Sequence, residues 1–340
     1  MIIALDAMGG DYAPDVNIEG AVEVACKQRD VHIILVGDER RISQGLKRKK
    51  YPVSSISVRN ASEVVSMHES PSTVLRRKKD SSIAVAVDLV KEKRADAVVS
   101  AGHSGVAMAM SLIKLGKAMG VDRPAIATIM PSLKNPFVLI DAGANVDCEP
   151  KNLYEFGLMG SAYFTAMFDN PIPKVALLSI GEEETKGNEL TKEAFKLFRD
   201  SSINFIGNIE GKDMFKGKAD VVVCDGFAGN ISLKISEGLA EAILKMLKRE
   251  IGSSITGRIG YLFMKPALKK FKQQTDYAEY GGAPLLGING TCIISHGRSS
   301  AKAIRNAINV ADRVASRKLY MTISDELLRR RTKEFDIVES

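Results

Sequence analysis

Short apolar runs rich in Val and Ile alternate along this chain with longer segments in which apolar residues recur every three or four positions. Runs of the first kind read as buried strands and segments of the second as amphipathic helices, an alternation that predicts a parallel sheet wrapped by helices. Strands are expected at 2–6, 32–36, 56–59, 97–100, 125–130, 137–141, 175–180, 204–207, 221–224, 285–288 and 292–295. Helices are expected at 13–27, 82–93, 105–119, 152–168, 190–200, 230–251 and 300–319. No linker, low-complexity tract or fixed repeat divides the chain, so one α/β unit over 1–340 is expected, with a doubly wound, mostly parallel sheet. The stretch 252–282 breaks the rhythm: it is Lys-rich, crowds its large apolar residues together, and reads as a small insertion of short projecting helices.

Six of the predicted strands end in Gly-containing turns: DAMGGD (6–11), SAGHSG (100–105), DAGAN (141–145), SIGEEETKGN (179–188), CDGFAGN (224–230) and SHGRSS (295–300). Glycine lets backbone approach a ligand closely, and a following helix offers unpaired N–H groups to an anion. In open parallel sheets ligands sit beyond the carboxyl ends of the strands, where these turns lie. Gly9, Gly10, Gly102, Gly105, Gly181, Gly226 and Gly229 are therefore candidate phosphate-binding positions, together with His103, Ser104, Asn145, Thr185, Asp225 and His296. None of the turns matches G-x-x-x-x-G-K-[ST] or G-x-G-x-x-G, so neither a P-loop nor a standard dinucleotide site is expected, and no cofactor is implied.

Lys186 follows three glutamates, Glu182, Glu183 and Glu184; it is either their surface ion-pair partner or a cation presented to phosphate or an oxyanion. Asn230 stands where its turn enters a helix, so it is either a cap or a ligand-orienting amide, and Asn145 shares the ambiguity. Asp6, Asp11, Asp141, Asp147 and Asp225 have no spacing that defines a metal site, and none is expected. Ser104 lacks the G-x-S-x-G elbow, and Cys224 beside Asp225 reads as core, so no covalent intermediate is indicated.

Composition narrows the partners. The net charge of +7 invites an acidic one, but aromatics are 6%, no Trp is present and no nucleic-acid motif occurs, so nucleic acid is not expected. A smaller anionic partner is left open for the runs 47–50, 76–79 and 265–272. Four unpaired-looking cysteines suit a reducing compartment, and Asp6 interrupts what would otherwise resemble a signal peptide. In 252–272, apolar Leu262 and Phe263 beside Arg258, Lys265, Lys269 and Lys270 suggest contact with an anionic membrane surface or an acidic protein.

The segments IALDAMGGDYAPD, RPAIATIMP, LIDAGANVDCEP, IGEEETKGNEL, ADVVVCDGFAGN and EYGGAPLLGI resemble the acyl-[acyl-carrier-protein]:phosphate acyltransferases of bacterial phospholipid synthesis, the PlsX family. The likeness runs from Ile3 to about Ala307; one departure is SAGHSG where the family pattern is SAGNTG, which weakens His103 and Ser104 as shared catalytic groups. The resemblance implies transfer of a long-chain acyl group from acyl-carrier protein to inorganic phosphate, with the acyl phosphate passed to a membrane glycerol-3-phosphate acyltransferase. It also implies an isocitrate/isopropylmalate dehydrogenase-like fold, a homodimer, and a cytoplasmic protein loosely held at the inner face of the membrane. Lys186 and Asn230 fall in its signature turns and become the candidate catalytic pair. Rival readings are a phosphotransacetylase-like enzyme using acyl-coenzyme A, a dehydrogenase of the same fold, and a non-enzymatic carrier-protein scaffold.

Overall fold

The computed structural model describes residues 1–275 and 281–338; for positions 255, 258, 262, 269, 270, 272–275 and 330–338 it describes the backbone alone. Strands are β1 (Ile2–Asp6), β2 (His32–Gly37), β3 (Ile56–Asn60), β4 (Ala97–Ser100), β5 (Ala125–Met130), β6 (Phe137–Ile140), β7 (Val175–Ser179), β8 (Phe205–Glu210), β9 (Val221–Val223), β10 (Ala283–Leu286) and β11 (Cys292–Ile294). Helices are α1 (Asp15–Lys27), α2 (Glu39–Leu46), α3 (Pro71–Arg77), α4 (Ser82–Lys91), α5 (Ser104–Leu115), α6 (Pro150–Phe168), α7 (Glu189–Arg199), α8 (Gly226–Gly252), α9 (Ile255–Thr275), α10 (Ala301–Ser316) and α11 (Leu319–Val338).

The strands form one sheet in the order β3-β2-β1-β4-β11-β10-β5-β6-β9-β7-β8. β3, β2, β1, β4 and β11 are mutually parallel, and so are β6, β9, β7 and β8. Antiparallel pairings join β11 to β10, β10 to β5 and β5 to β6, so the sheet consists of two parallel halves running oppositely through an antiparallel middle.

Strand side chains alternate between the two faces. Ile3, Leu5, Val138, Ile140, Val221 and Val223 enter one apolar layer that extends under both halves, backed by α1, α6, α10 and α11. Their neighbours point the other way, where Ala4 and Val98 join α4 and α5, whereas Phe137, Leu139 and Val222 join the separate patch around Met214. Residues buried on both faces explain why these strands read as near-continuous Val/Ile runs.

Several expected elements differ in their bounds. β8 begins one residue later and ends three residues later than expected, β10 sits two residues earlier, and the expected short helices of 252–282 are replaced by the 21-residue α9. Residues 276–280 of that stretch, including Glu279 and Tyr280 of its EYGGAPLLGI motif, lie outside the described residues. Among the described residues no helix is long and apolar enough to cross a membrane.

Candidate active site

Parallel pairing of β1 with β4, and of β4 with β11, brings three of the predicted turns to one sheet edge. They are locked backbone to backbone. A β-carbon on Gly9 would lie 2.7 Å from the Gly102 nitrogen, and one on Gly10 3.0 Å from the Gly297 carbonyl oxygen. Gly10 also has φ +101°, a left-handed conformation that excludes most side chains. Asp11 N donates to the Gly297 carbonyl at 2.8 Å.

Under this junction lies Asp6, fully buried, whose carboxylate accepts from Ser100 Oγ at 2.7 Å and from Met8 N at 3.3 Å. Burial pushes its carboxyl above the usual carboxylate range, against the pull of those donors. Asn17 amide donates to the carbonyls of Ala7 (3.0 Å) and Gly9 (2.9 Å), fixing the path of the first turn. Beside the junction lies a small cleft with about 10 Å³ of free volume, lined by Asp6, Ser82, Ser100, Gly102, His103 and Val65, among others. His103 caps α5 with Nδ1 accepting from Val106 N at 3.4 Å, an arrangement that needs the tautomer with the proton on Nε2. Ser104 is the exposed first residue of α5, and Gly105 packs against the His103 ring and Pro71. His296 Nδ1 accepts from Arg298 N at 3.1 Å within the third turn.

A second group forms where β6 and β9 end side by side. Asp141 is buried, and its oxygens accept five N–H donors: Ile126, Gly143, Ala144 and Asn145 from backbone, and the Asn145 side-chain amide at 2.8 Å. That amide also donates to the Pro124 carbonyl at 2.7 Å, so Asn145 braces the loop and caps no helix. The cap of α6 is Glu149, reciprocated by Asn152. Asp225, not Asn230, caps α8, accepting from Ala228 N at 2.8 Å. The predicted helix start at 230 is thus corrected by four residues. Gly226 N donates to the Asn145 carbonyl at 2.7 Å, and a β-carbon on Gly229 would fall 1.9 Å from the Asp141 carbonyl oxygen. Only glycine lets the helix sit this close.

Asn230 consequently emerges one turn inside α8, exposed, above Gly143, with no hydrogen bond to its side chain among the described residues. Burial raises the nearby Cys224 thiol well above its usual range and pushes Cys148 up to about 11, which disfavours the thiolate at both.

Lys186 leaves the turn after β7, the strand paired with β9, and so stands at the same sheet edge as Asn230. Its stem covers Gly181, where a β-carbon would meet Lys186 Cγ at 2.7 Å. The ion pair open to it in sequence is not made. Glu182 pairs with Lys218 (2.7 Å) and Glu184 with Arg199 (2.8 Å), leaving the exposed Lys186 ammonium without a partner among the described residues. Thr185 is exposed beside it.

α8 connects the two groups. Glu237 is half-buried, which raises its carboxyl, and the charge of His296 acts on it in the opposite sense. Asn230 and Glu237 are seven residues apart, about 10 Å along a helix. The third turn thus lies close enough to α8 for His296 and Glu237 to interact electrostatically.

Two features lay beyond the sequence reading: Asp6 and Asp141 as buried anchors of the turns, and Asp225 as the cap. Strand-end aspartates followed within three residues by Gly carry that signal, since such carboxylates accept from the N–H groups of the turn they begin. On α9, Phe263 is 83% exposed, and Ile259, Tyr261, Met264 and Lys265 are exposed with it. The side chains of Arg258, Leu262, Lys269 and Lys270 lie outside the described residues.

The sequence profile of a family described as "Fatty acid synthesis protein" matches residues 1–321. A protein named phosphate acyltransferase from Thermodesulfovibrio yellowstonii is 61% identical over 325 residues, covering 96% of this chain and 94% of the relative. One of the same name from Syntrophotalea carbinolica is 52% identical, covering 94% and 92%. Among solved structures, a phosphotransacetylase from Streptococcus pyogenes superposes with TM-score 0.63 at 18% identity, covering 93% of this chain and 94% of that one. A 4-hydroxythreonine-4-phosphate dehydrogenase homologue from Salmonella typhimurium gives TM-score 0.50 at 10% identity, covering 92% and 99%. The two structures share the α/β fold with this chain.

Proposed function

Because this chain belongs to the phosphate acyltransferase family and is an enzyme of that kind, we propose that its acyl donor is the thioester of an acyl-carrier protein and its product an acyl phosphate for phospholipid synthesis. The observation that carries the assignment of the centre is the pair of exposed polar groups at one sheet edge, the Lys186 ammonium and the Asn230 amide, neither with a side-chain partner among the described residues.

Phosphate is anionic at neutral pH and needs no strong base to attack. One phosphate oxygen forms a bond to the thioester carbonyl carbon, the carbonyl oxygen takes up negative charge, and collapse of that tetrahedral species expels the thiolate. The thiolate needs little acid assistance, since a thiol of this type has a pKa near 8–9 by analogy with cysteine. The protein must therefore place two reactants and stabilise one oxyanion. Lys186 supplies the charge and Asn230 the orienting amide. The N–H groups of Gly105 and Gly297, with His103 and His296, are suited to hold anionic groups of the substrates, whereas the Gly9 and Gly102 N–H groups already donate to the Asp6 carbonyl and Ser100 Oγ.

The exposed apolar residues of α9 beside Lys265 support peripheral contact with an anionic membrane, where the product would meet a glycerol-3-phosphate acyltransferase. Phe227, Ile231, Ile235, Leu239 and Ile243 form an exposed i, i+4 stripe along α8, which supports a homodimer. The rival reading, an acyl-coenzyme A enzyme, draws on the phosphotransacetylase fold. Acyl phosphate formation from carrier-protein and coenzyme A thioesters of one chain length separates them. A higher kcat/KM for the carrier-protein substrate is expected; preference for coenzyme A would overturn the donor assignment.

A further inference from the structure

From the structure we infer that the acyl-carrier protein docks on the segment between β3 and α4, at the basic end of α3. The inference rests on the reading above that the donor is a carrier-protein thioester.

Three observations converge on this segment. The first is position. β3 runs parallel to β2, β1 and β4, so the chain that follows Asn60 emerges at the sheet edge where the Gly9, Gly102 and Gly297 turns meet. It forms one wall of the cleft there: Val65 lines it, the Met67 methyl lies 3.2 Å from the β-carbon position of Gly297, and Pro71 packs on Gly105.

The second is charge. Between Arg59 and Asp80 stand five Lys and Arg side chains against three carboxylates. Glu69 is paired with Lys78 at 2.8 Å, Asp80 accepts from Ser62 and feels Arg59, and Glu63 accepts from the backbone of Asp80. Arg76, Arg77 and Lys79 are left exposed with no ion pair among the described residues. The third is the apolar surface beside them, Val64 at 41% exposure and Met67 at 44%. Unpaired cations around a small apolar patch match an acidic protein helix that pairs at its rim and buries a few aliphatic side chains at its centre.

The basic run after α2 serves this purpose less well. Lys47, Arg48 and Lys50 follow α2, whose chain returns to the start of β3, so they stand at the opposite sheet edge from the cleft. From Arg76 back to Pro71 at the cleft rim is about 8 Å of helix, a span that a flexible prosthetic arm carrying the acyl thioester can cover.

The test is the charge reversal R76E/R77E/K79E in the full chain, assayed for acyl phosphate formation with an acyl-carrier-protein thioester and with an acyl-pantetheine thioester of the same length. The expected result is a KM for the carrier-protein substrate raised at least tenfold, with kcat and the KM for phosphate and for acyl-pantetheine unchanged. The wild-type KM should climb with salt and the variant's should not. K47E/R48E/K50E should behave as wild type. An unchanged carrier-protein KM, equal losses on both thioesters, or a loss confined to binding of anionic vesicles overturns the docking site. If the wild-type enzyme makes no acyl phosphate from carrier-protein thioester, the donor assignment falls and the docking site falls with it. If wild type does and the reversed variant matches it, only the docking site falls.

Discussion

Lys186 and Gly229 show two ways in which a single residue bears on the same centre. Lys186 stands beside three glutamates and pairs with none of them, because Lys218 and Arg199 occupy two. Lys186→Ala should lower kcat by roughly 10²–10³-fold, the loss typical of one oxyanion donor, with the melting temperature unchanged. Near-normal turnover would reduce the lysine to a solvated surface group. Gly229 touches no solvent; its place is under the Asp141 carbonyl. Gly229→Ala should destabilise the protein by about 1–3 kcal/mol, as overpacking of a tight contact does, and lose activity too as the start of α8 shifts. An alanine variant with full stability in denaturant titration would show that the contact is loose. The sequence made Lys186 conspicuous, because a lysine inside an acidic turn is unusual chemistry wherever the fold places it. It left Asn230 ambiguous, since Asp225 and Asn230 are both cap-type residues and the glycines between them read as loop. What decides between them is the close seat of Gly229 on Asp141, a tertiary contact that local sequence does not encode.

Among the elements, the strands were the most legible. All eleven expected strands are present, with ends shifted by no more than about three residues, because burial on both faces leaves long Val/Ile runs with abrupt polar ends. The helices α2, α3 and α11 were not foreseen; α2 and α3 are short, and α11 has a strongly mixed charge pattern. α9 was misjudged for another reason. Gly257, Gly260 and Pro266 predict breaks, yet the helix runs through Pro266, since an exposed helix can lose one backbone hydrogen bond to water. Its apolar side chains Ile259, Tyr261, Phe263, Met264 and Phe271 are exposed, and that carries a prediction of its own. Phe263→Asp with Met264→Asp should abolish binding to anionic vesicles in a flotation assay, while kcat in solution holds. Retained flotation would refute membrane contact through α9.

The molecule as a whole is the scale at which sequence says least. Alternation of strands and helices predicts a parallel sheet, but not that it splits into two parallel halves running oppositely, nor that β10, β5 and β6 join them. Strand order is set by which edges meet in three dimensions, and the Val/Ile runs that announce each strand are nearly interchangeable as partners. The convergence of the turns was legible only in part. Each lies at a strand end, as expected, but the two halves run oppositely, so the turns gather in two groups and not in one.

Helix α8 is anchored unevenly. Its buried residues are Gly226 and Gly229, both in the first turn, whereas Phe227 through Ile243 leave apolar side chains in the open. Amide protons near Asn230 lie in packed backbone and exchange only by larger openings; those toward Gly252 exchange by fraying from the far end. The gradient of protection along α8 therefore separates two events that activity alone would merge. Fraying would first release the distal amides, and the turn that rests on Asp141 would keep its geometry longest.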